Sequence, residues 1–172
     1  MSRDRIFLGI LVVLTSGNIG YRVWSGPASE RNSPAGLTIG TPLPALSLAL
    51  LGDTTIAAVR RPIPESGCRV LILFSPTCPH CHTAARRDAA TADSLLLERL
   101  WISHTDDSAT TAFAREIGSG AAIRSGGPAA FEAMKVKGVP AAFVISGANT
   151  VRWAGGYAGG ADYHRLIRGH CE

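Results

Sequence analysis

The chain has 172 residues, of which 46% are hydrophobic, and it carries a formal net charge of +4. A chain of this length has room for a single domain with a real hydrophobic core. Its basic residues are dispersed, as in the pairs Arg60-Arg61 and Arg86-Arg87, and no basic run is interleaved with aromatic side chains. The composition therefore favours a solvated charged surface and argues against nucleic acid as a partner.

The N-terminal segment has the pattern of an export signal. Arg3 and Arg5 precede an apolar run at residues 6–14, which is how a secretory signal or a short membrane anchor begins. No clear A-x-A cleavage site follows the run, and Trp24 lies where an interfacial aromatic belt is expected. We interpret residues 1–24 as a signal anchor or signal peptide, with an inner-membrane anchor favoured, and place the remainder in the periplasm or an equivalent extracytoplasmic space.

Residues 25–44 are rich in Gly, Pro, Ser and Thr, with prolines that break any regular element. This composition predicts a tether, followed by the folded domain at residues 45–172. Two short strands, at residues 45–50 and 54–59, would form an N-terminal hairpin. The continuous apolar run at residues 70–74 is typical of a strand at the centre of a sheet that is covered on both faces.

After this strand, helical and strand-like patterns alternate. The predicted helices are a long one from Pro79 to about residue 100, one capped by Asp106 or Asp107 that ends near residue 117, a short one at 128–135 and a last one at 161–169. The predicted strands are 100–103, 142–145 and 151–153, and the Gly/Ser-rich residues 118–127 are predicted to be a loop. The pattern indicates an α/β domain with a mixed central sheet.

Cys78-Pro79-His80-Cys81 lies where the apolar strand ends and the first of these helices begins. Two thiols on the first turn of a helix can close into a disulfide and reopen, and unpaired backbone N–H groups there favour a thiolate. The thiolate is the species that attacks disulfides. The motif therefore predicts thiol–disulfide exchange, with Cys78 as the attacking thiol and Cys81 as the resolving thiol.

Together with the strand and the dithiol, Val139-Pro140 before a predicted strand resembles the thioredoxin fold. The stretch Gly40-x-Pro42-x-Pro44 and the pair Gly155-Gly156 look most like its membrane-anchored, extracytoplasmic branch, the TlpA/ResA-like proteins, and within it the MauD-like proteins. The resemblance implies a three-layer fold with the N-terminal hairpin as an extension. It also implies a protein thiol–disulfide oxidoreductase with no cofactor other than its redox-active disulfide.

In that family the proline corresponding to Pro140 is cis and faces the disulfide, while the preceding backbone, here Val139, meets the substrate. The resemblance thus implies that Val139 and Pro140, with Thr77 beside them, bind disulfide-containing client proteins. A membrane thiol transporter or a quinone-linked oxidase would be the electron partner.

The chain departs from the family pattern at several positions. Thr77 replaces the Trp that commonly precedes the first cysteine. Positions 72 and 84, where members of the family carry an acidic residue, are Ile72 and Ala84 here, so proton handling falls to water or a histidine. Pro79-His80 is the dipeptide of DsbA-like oxidants, in which the imidazole and the helix N-terminus stabilise the thiolate and make the disulfide oxidising. The direction of electron flow is therefore open between a reductant and an oxidant.

Several alternatives remain beside this interpretation. An oxidant or isomerase could aid the maturation of a periplasmic dehydrogenase, and a non-enzymatic protein could carry copper or haem. The run from Cys78 to His82 also satisfies C-x-x-C-H, the attachment sequence of c-type haem, although such domains are small helical folds. A metal site is disfavoured because His80, His82 and two thiols on one helical turn cannot all converge on an ion. His82, His104, His164 and His170 are interpreted as solvated surface side chains.

Cys68 and Cys171 form the remaining pair of cysteines. Cys68 precedes the central strand at the end opposite the dithiol, and the last predicted helix runs towards that same end. In an oxidising compartment these positions predict a structural disulfide.

Overall fold

The computed structural model describes residues 35–50, 56–58, 67–91, 98–105, 108–117 and 122–171. The expected signal anchor, the first part of the tether and the caps Asp106 and Asp107 lie outside these ranges. Within them, no helix is both long enough and apolar enough to cross a membrane.

The described elements alternate between strands and helices along most of the chain. The strands are β1 Ser47–Leu50, β2 Ile56–Ala58, β3 Cys68–Phe74, β4 Glu98–Ser103, β5 Ala122–Ser125, β6 Ala141–Ser146 and β7 Val151–Gly156. The helices are α1 Pro79–Ala89, α2 Ser108–Ile117, α3 Gly127–Ala133 and α4 Ala161–Arg168.

The described strands form one mixed sheet in the order β2-β1-β5-β4-β3-β6-β7. Strand β3 is central: it pairs in parallel with β4 and antiparallel with β6. Every residue of β3 after Cys68 is buried, as the apolar run predicted. At the outer edge β1 pairs antiparallel with both β5 and β2, so the N-terminal hairpin extends the sheet.

Two apolar clusters cover the two faces of the sheet. Successive side chains of a strand point to opposite faces, and accordingly Ile72 and Phe74 belong to one cluster while Leu71 belongs to the other. Helices α1, α2 and α4 contribute buried side chains to the first cluster, and α3 contributes to the second, including Ala130. The predicted three-layer α/β architecture is confirmed.

Helix α1 is shorter than predicted. It ends at Ala89 rather than near residue 100, and β4 already begins at Glu98. The hydroxyl of Thr91 donates to the carbonyl oxygens of Arg87 and Asp88, at 3.0 and 3.2 Å. These bonds satisfy carbonyls that a longer helix would pair with its own amides.

The prediction of a loop throughout residues 118–127 is wrong, because β5 lies within it at Ala122–Ser125. Ile123 alone in this strand has a strong intrinsic preference for β structure. The strand forms because β4 offers it a parallel partner, with Trp101 opposite Ile123. Tertiary pairing thus outweighs local propensity here.

Part of the predicted tether packs against the sheet. Ala35 and Leu37 are buried in the second apolar cluster. The amide of Gly40 donates to the Val151 carbonyl at 2.8 Å, and the Val151 amide donates to the Thr41 carbonyl at 2.9 Å. Residues N-terminal of residue 45 are therefore part of the folded domain, along the edge strand β7.

Cys68, the first residue of β3, is joined to Cys171 by a disulfide, with a Cα–Cα distance of 5.5 Å. Cys171 follows α4, so the bond ties the last helix to the start of the central strand. It lies at the end of β3 opposite to the end from which the chain leads to Cys78.

Candidate active site

The dithiol lies at the junction between the central strand and α1. Cys78 is the N-cap of α1, with extended backbone angles (φ −85°, ψ 118°), and Pro79 takes a position in the first turn. The amide of Cys78 donates to the Ser75 carbonyl at 3.1 Å, which holds the loop between β3 and α1. The sequence places Pro79 here because a proline lacks the amide hydrogen that the first helical turn leaves unpaired.

Both active-site cysteines are free thiols, but their surroundings differ. Cys78 is half-buried and Cys81 is fully buried, packed in the first apolar cluster with Ala84 and Ala85. The pKa of Cys81 is raised to about 12, chiefly by burial and to a smaller extent by the neighbouring Cys78, while a backbone hydrogen bond at Ser75 opposes the rise. Cys81 is therefore held as a protonated thiol at neutral pH, and Cys78 is the more accessible of the two sulfur atoms.

The Val139-Pro140 peptide faces Cys78 and is cis. Pairing of Leu73 with Ala141 brings the start of β6 to the same end of the sheet as the end of β3. The Cys78 thiol lies 3.8 Å from the Val139 carbonyl oxygen, to which it donates. Pro140 is buried and Val139 half-buried, so the arrangement that the resemblance implied is present.

Two further residues singled out in the sequence border the dithiol. Thr77, immediately before Cys78, is exposed, and its hydroxyl lies 3.1 Å from that of Ser75. His80 is exposed on the first turn of α1. The dithiol thus has polar neighbours on its solvent side and apolar neighbours beneath.

A groove of about 430 Å³ opens beside the dithiol. One wall is α1, with His80, Thr83 and Arg87, and the other is Pro140 with residues 156–158. The groove therefore runs along α1 away from Cys78. Arg87 and Tyr157 line it, although sequence reasoning did not single them out.

His82 is held by the protein instead of lying free on the surface as predicted. Its Nε2 lies 2.8 Å from the Pro76 carbonyl oxygen and its Nδ1 lies 2.7 Å from Glu116 Oε2, while its ring packs edge-on against Phe113. Both ring nitrogens of His82 therefore have a partner within the protein. Ligation of a haem iron by His82 would require one of these bonds to break.

No group of three or more His, Cys, Asp or Glu side chains that could hold a metal ion occurs in the described part of the chain. The dithiol alone offers two sulfur ligands. Closed structural metal sites use four ligands.

A buried polar network lies further along α1. The carboxylate of Asp88, only 5% exposed, accepts from the Tyr157 hydroxyl at 2.6 Å and lies 2.5 Å from His164 Nε2. Arg99 Nη1 lies 3.0 Å from its second oxygen. Burial, and next the Asp88 charge, raise the pKa of Tyr157 well above its usual range, so this hydroxyl remains a donor.

The network corrects the expectation that His164 is a surface side chain. His164 is 2% exposed because Asp88 supplies the partner that a buried imidazole needs. The spacing of Cys81, Ala84, Ala85 and Asp88 places all of them on one face of a helix, so the sequence did contain a signal for a buried acid. Seven residues after Cys81, Asp88 is displaced by about 10 Å along the helix axis.

The mixed sheet, the helices on both of its faces and the cis proline opposite the dithiol make this a thioredoxin-like fold. Solved structures bear this out. A candidate thiol:disulfide interchange protein DsbE from Chlorobium tepidum matches with a TM-score of 0.64 and 14% identity, over 80% of this chain and 100% of that chain.

The thioredoxin domain of a thiol-disulfide oxidoreductase from Bacteroides vulgatus matches with a TM-score of 0.59 and 11% identity, over 77% of this chain and 98% of that chain. A peroxiredoxin-like protein from Aquifex aeolicus matches with a TM-score of 0.59 and 14% identity, over 78% and 86%. No family model matches the sequence, and no curated protein matches it. At these identities the similarity establishes the fold.

Proposed function

We propose that this protein is a thiol–disulfide oxidoreductase that exchanges disulfides with client proteins through Cys78 and Cys81. The observation that carries the proposal is the asymmetry of the dithiol. Cys78 is half-buried at the N-terminus of α1, 3.8 Å from the carbonyl before the cis Pro140, and Cys81 is buried beneath it. One sulfur can meet a client while the other is kept for the second step.

In the reducing direction, the Cys78 thiolate attacks one sulfur of a client disulfide. The client's S–S bond breaks, its other sulfur leaves as a thiolate, and Cys78 is joined to the client in a mixed disulfide. Cys81 then loses its proton to water and attacks Cys78, which releases the second client thiol. The protein ends as the Cys78–Cys81 disulfide, oxidised by two electrons, and the client is reduced; oxidation of a client reverses these steps.

Val139, Pro140 and Thr77 form the surface on which the client segment lies. The Val139 carbonyl faces Cys78 and offers an acceptor to a client amide once the thiol is deprotonated. Pro140 cannot donate a backbone hydrogen bond, so it presents an apolar contact. Pro79 and His80 adjust the reactivity of Cys78 from the first turn of α1.

The site of action is outside the cytoplasm, with residues 1–24 as an inner-membrane anchor. Support comes from the two arginines followed by an apolar run and from the disulfide between Cys68 and Cys171, since such bonds persist mainly in oxidising compartments. A membrane thiol transporter, or a quinone-linked oxidase, then exchanges electrons with the dithiol.

Reduction of insulin disulfides in the presence of a chemical reductant tests the activity. We expect the wild-type protein to accelerate the reaction and Cys78→Ser to abolish the acceleration. The Cys68→Ser/Cys171→Ser double variant is the control, because it removes two sulfurs at the opposite end of β3 and leaves the dithiol intact, and it should keep the acceleration. Equal rates for wild type and Cys78→Ser would contradict the proposal.

A second candidate function, an oxidant or isomerase that aids maturation of a periplasmic dehydrogenase, is favoured by the Pro79-His80 dipeptide. The reduction potential of the Cys78/Cys81 couple distinguishes a reductant of clients from an oxidant. A value near about −270 mV indicates a reductant, and one near about −120 mV indicates an oxidant.

A further inference from the structure

The groove beside the dithiol has an uneven charge. Arg87 and His80 both line it, and none of the described residues that line it is an Asp or a Glu. The nearest acid in sequence, Asp88, is buried and committed to Tyr157, His164 and Arg99. The described lining therefore presents the positive charge of Arg87 without a carboxylate to compensate it.

Arg87 differs from the arginine that precedes it. Arg86 forms an ion pair with Glu116 on α2 at 2.6 Å. Arg87 is exposed, lines the groove, and has no acidic partner among the described residues. Neighbouring residues on a helix point about 100° apart, which explains why the two guanidinium groups serve different sides of α1.

The selection of clients described next rests on the proposed exchange of disulfides with protein clients. We propose that Arg87 selects clients that carry an acidic residue close in sequence to the reacting cysteine. A guanidinium group and a carboxylate form paired, charge-assisted hydrogen bonds, and the client carboxylate would supply an acidic partner that no described residue of the chain supplies to Arg87. Arg87 is thus a specificity residue, and it takes no part in the exchange of sulfur atoms.

The distance along α1 between Cys78 and Arg87 sets how far the acidic residue of the client lies from its reacting cysteine. Arg87 lies nine residues after Cys78, which corresponds to about 13 Å along the helix. Helical side chains lean towards the helix N-terminus, which brings the guanidinium group closer to Cys78. An extended client segment advances about 3.3 Å per residue, so the acidic residue is about two to four residues from the cysteine.

Peptides that carry a fluorescent thiol in disulfide linkage to a single cysteine test this selection. Glu, Gln or Lys is placed two, three or four residues to either side of the cysteine, and the second-order rate constant for release of the reporter is measured at low salt. At one of these positions the wild-type protein should react about two- to fivefold faster with the Glu peptide than with the Gln peptide, as a partly exposed ion pair allows.

Three variants assign the preference to Arg87. In Arg87→Gln the ratio of Glu to Gln rates should fall to about one, and in Arg87→Glu the preference should shift to the Lys peptide. Arg86→Gln is the matched control, with the same loss of one positive charge on the adjacent residue, and it should keep the wild-type ratio.

The outcomes distinguish this inference from the function on which it rests. If the wild-type protein releases the reporter from all peptides at equal rates, the selection by Arg87 is wrong while disulfide exchange stands. If Arg86→Gln loses the preference as completely as Arg87→Gln, general charge is responsible and the inference is again wrong. If no peptide reacts, both the proposed function and the inference fail.

Discussion

Cys78 and Cys81 are three residues apart, yet one is half-exposed and the other is fully buried. The difference follows from the helix that begins between them. The N-cap lies at the end of the helix near solvent, whereas Cys81 faces the sheet with Ala84 and Ala85. In the proposed exchange, attack on a client and resolution of the mixed disulfide therefore belong to different sulfur atoms, Cys78 and Cys81.

Burial of Cys81 predicts how the second step depends on pH. Because the pKa of Cys81 is raised to about 12 and the thiolate is the attacking species, the resolution rate should rise about tenfold per pH unit between pH 6 and 9. Release of a fluorescent peptide previously coupled to Cys78 measures this rate, and Cys81→Ser gives the background. A plateau below pH 9 would show that a nearby group accepts the proton from Cys81.

The buried carboxylate of Asp88 predicts a stability effect remote from the chemistry. In Asp88→Asn the Arg99 guanidinium loses its counter-charge and His164 loses its carboxylate partner, in a site where Asp88 is 5% exposed, so the free energy of unfolding should fall by about 3 kcal/mol.

Urea unfolding of the reduced proteins measures this change. The control is Asp162→Asn, which removes an exposed carboxylate 3.5 Å from Arg165 on the surface of α4 and should change stability by less than about 0.5 kcal/mol. Equal effects of the two substitutions would mean that the buried network is not held together by the Asp88 charge.

At the scale of elements, His82 on α1 links the loop before the dithiol to α2. His82 bridges the Pro76 carbonyl, in the loop, and Glu116, on α2, while its ring packs against Phe113. This bridge fixes the backbone directly before Cys78. His82 is therefore a positioning residue.

We expect His82→Ala to loosen that loop. Loss of its bond to the loop, worth about 1 kcal/mol, should make the Cys78 amide, which donates to the Ser75 carbonyl, exchange with solvent about fivefold faster. Hydrogen exchange followed by NMR provides the measurement. Arg86→Ala is the control, because it removes the other partner of Glu116 without touching the loop, and unchanged protection in His82→Ala would contradict the bridging role.

At the scale of the whole molecule, contiguous patterns predicted most of the fold. A few consecutive residues were enough to predict the buried strand β3, the dithiol at the start of α1 and the hairpin of β6 and β7. The strand β5 does not, because its four residues form a strand only through their pairing with β4 and β1.

The candidate site likewise has a part that local sequence motifs predict and a part that they do not. The dithiol and Val139-Pro140 were predictable from local motifs, whereas the partners of Asp88 come from positions 99, 157 and 164, on three other parts of the fold. Arg87 and His82 were missed for a related reason. Their roles depend on which side of α1 each faces, and single-residue chemistry does not specify that.

Capture of clients on Cys78 tests the central claim most directly. Cys81→Ser leaves the attacking thiol in place and removes the sulfur that resolves the mixed disulfide. Expressed with its N-terminal segment in its own host, this variant should give high-mass bands on non-reducing gels that disappear with reductant. The control is the Cys78→Ser/Cys81→Ser double variant, which should give none. If Cys81→Ser captures no more protein than the double variant, disulfide exchange with protein clients is contradicted, and a metal-carrying role becomes the better account of the two thiols.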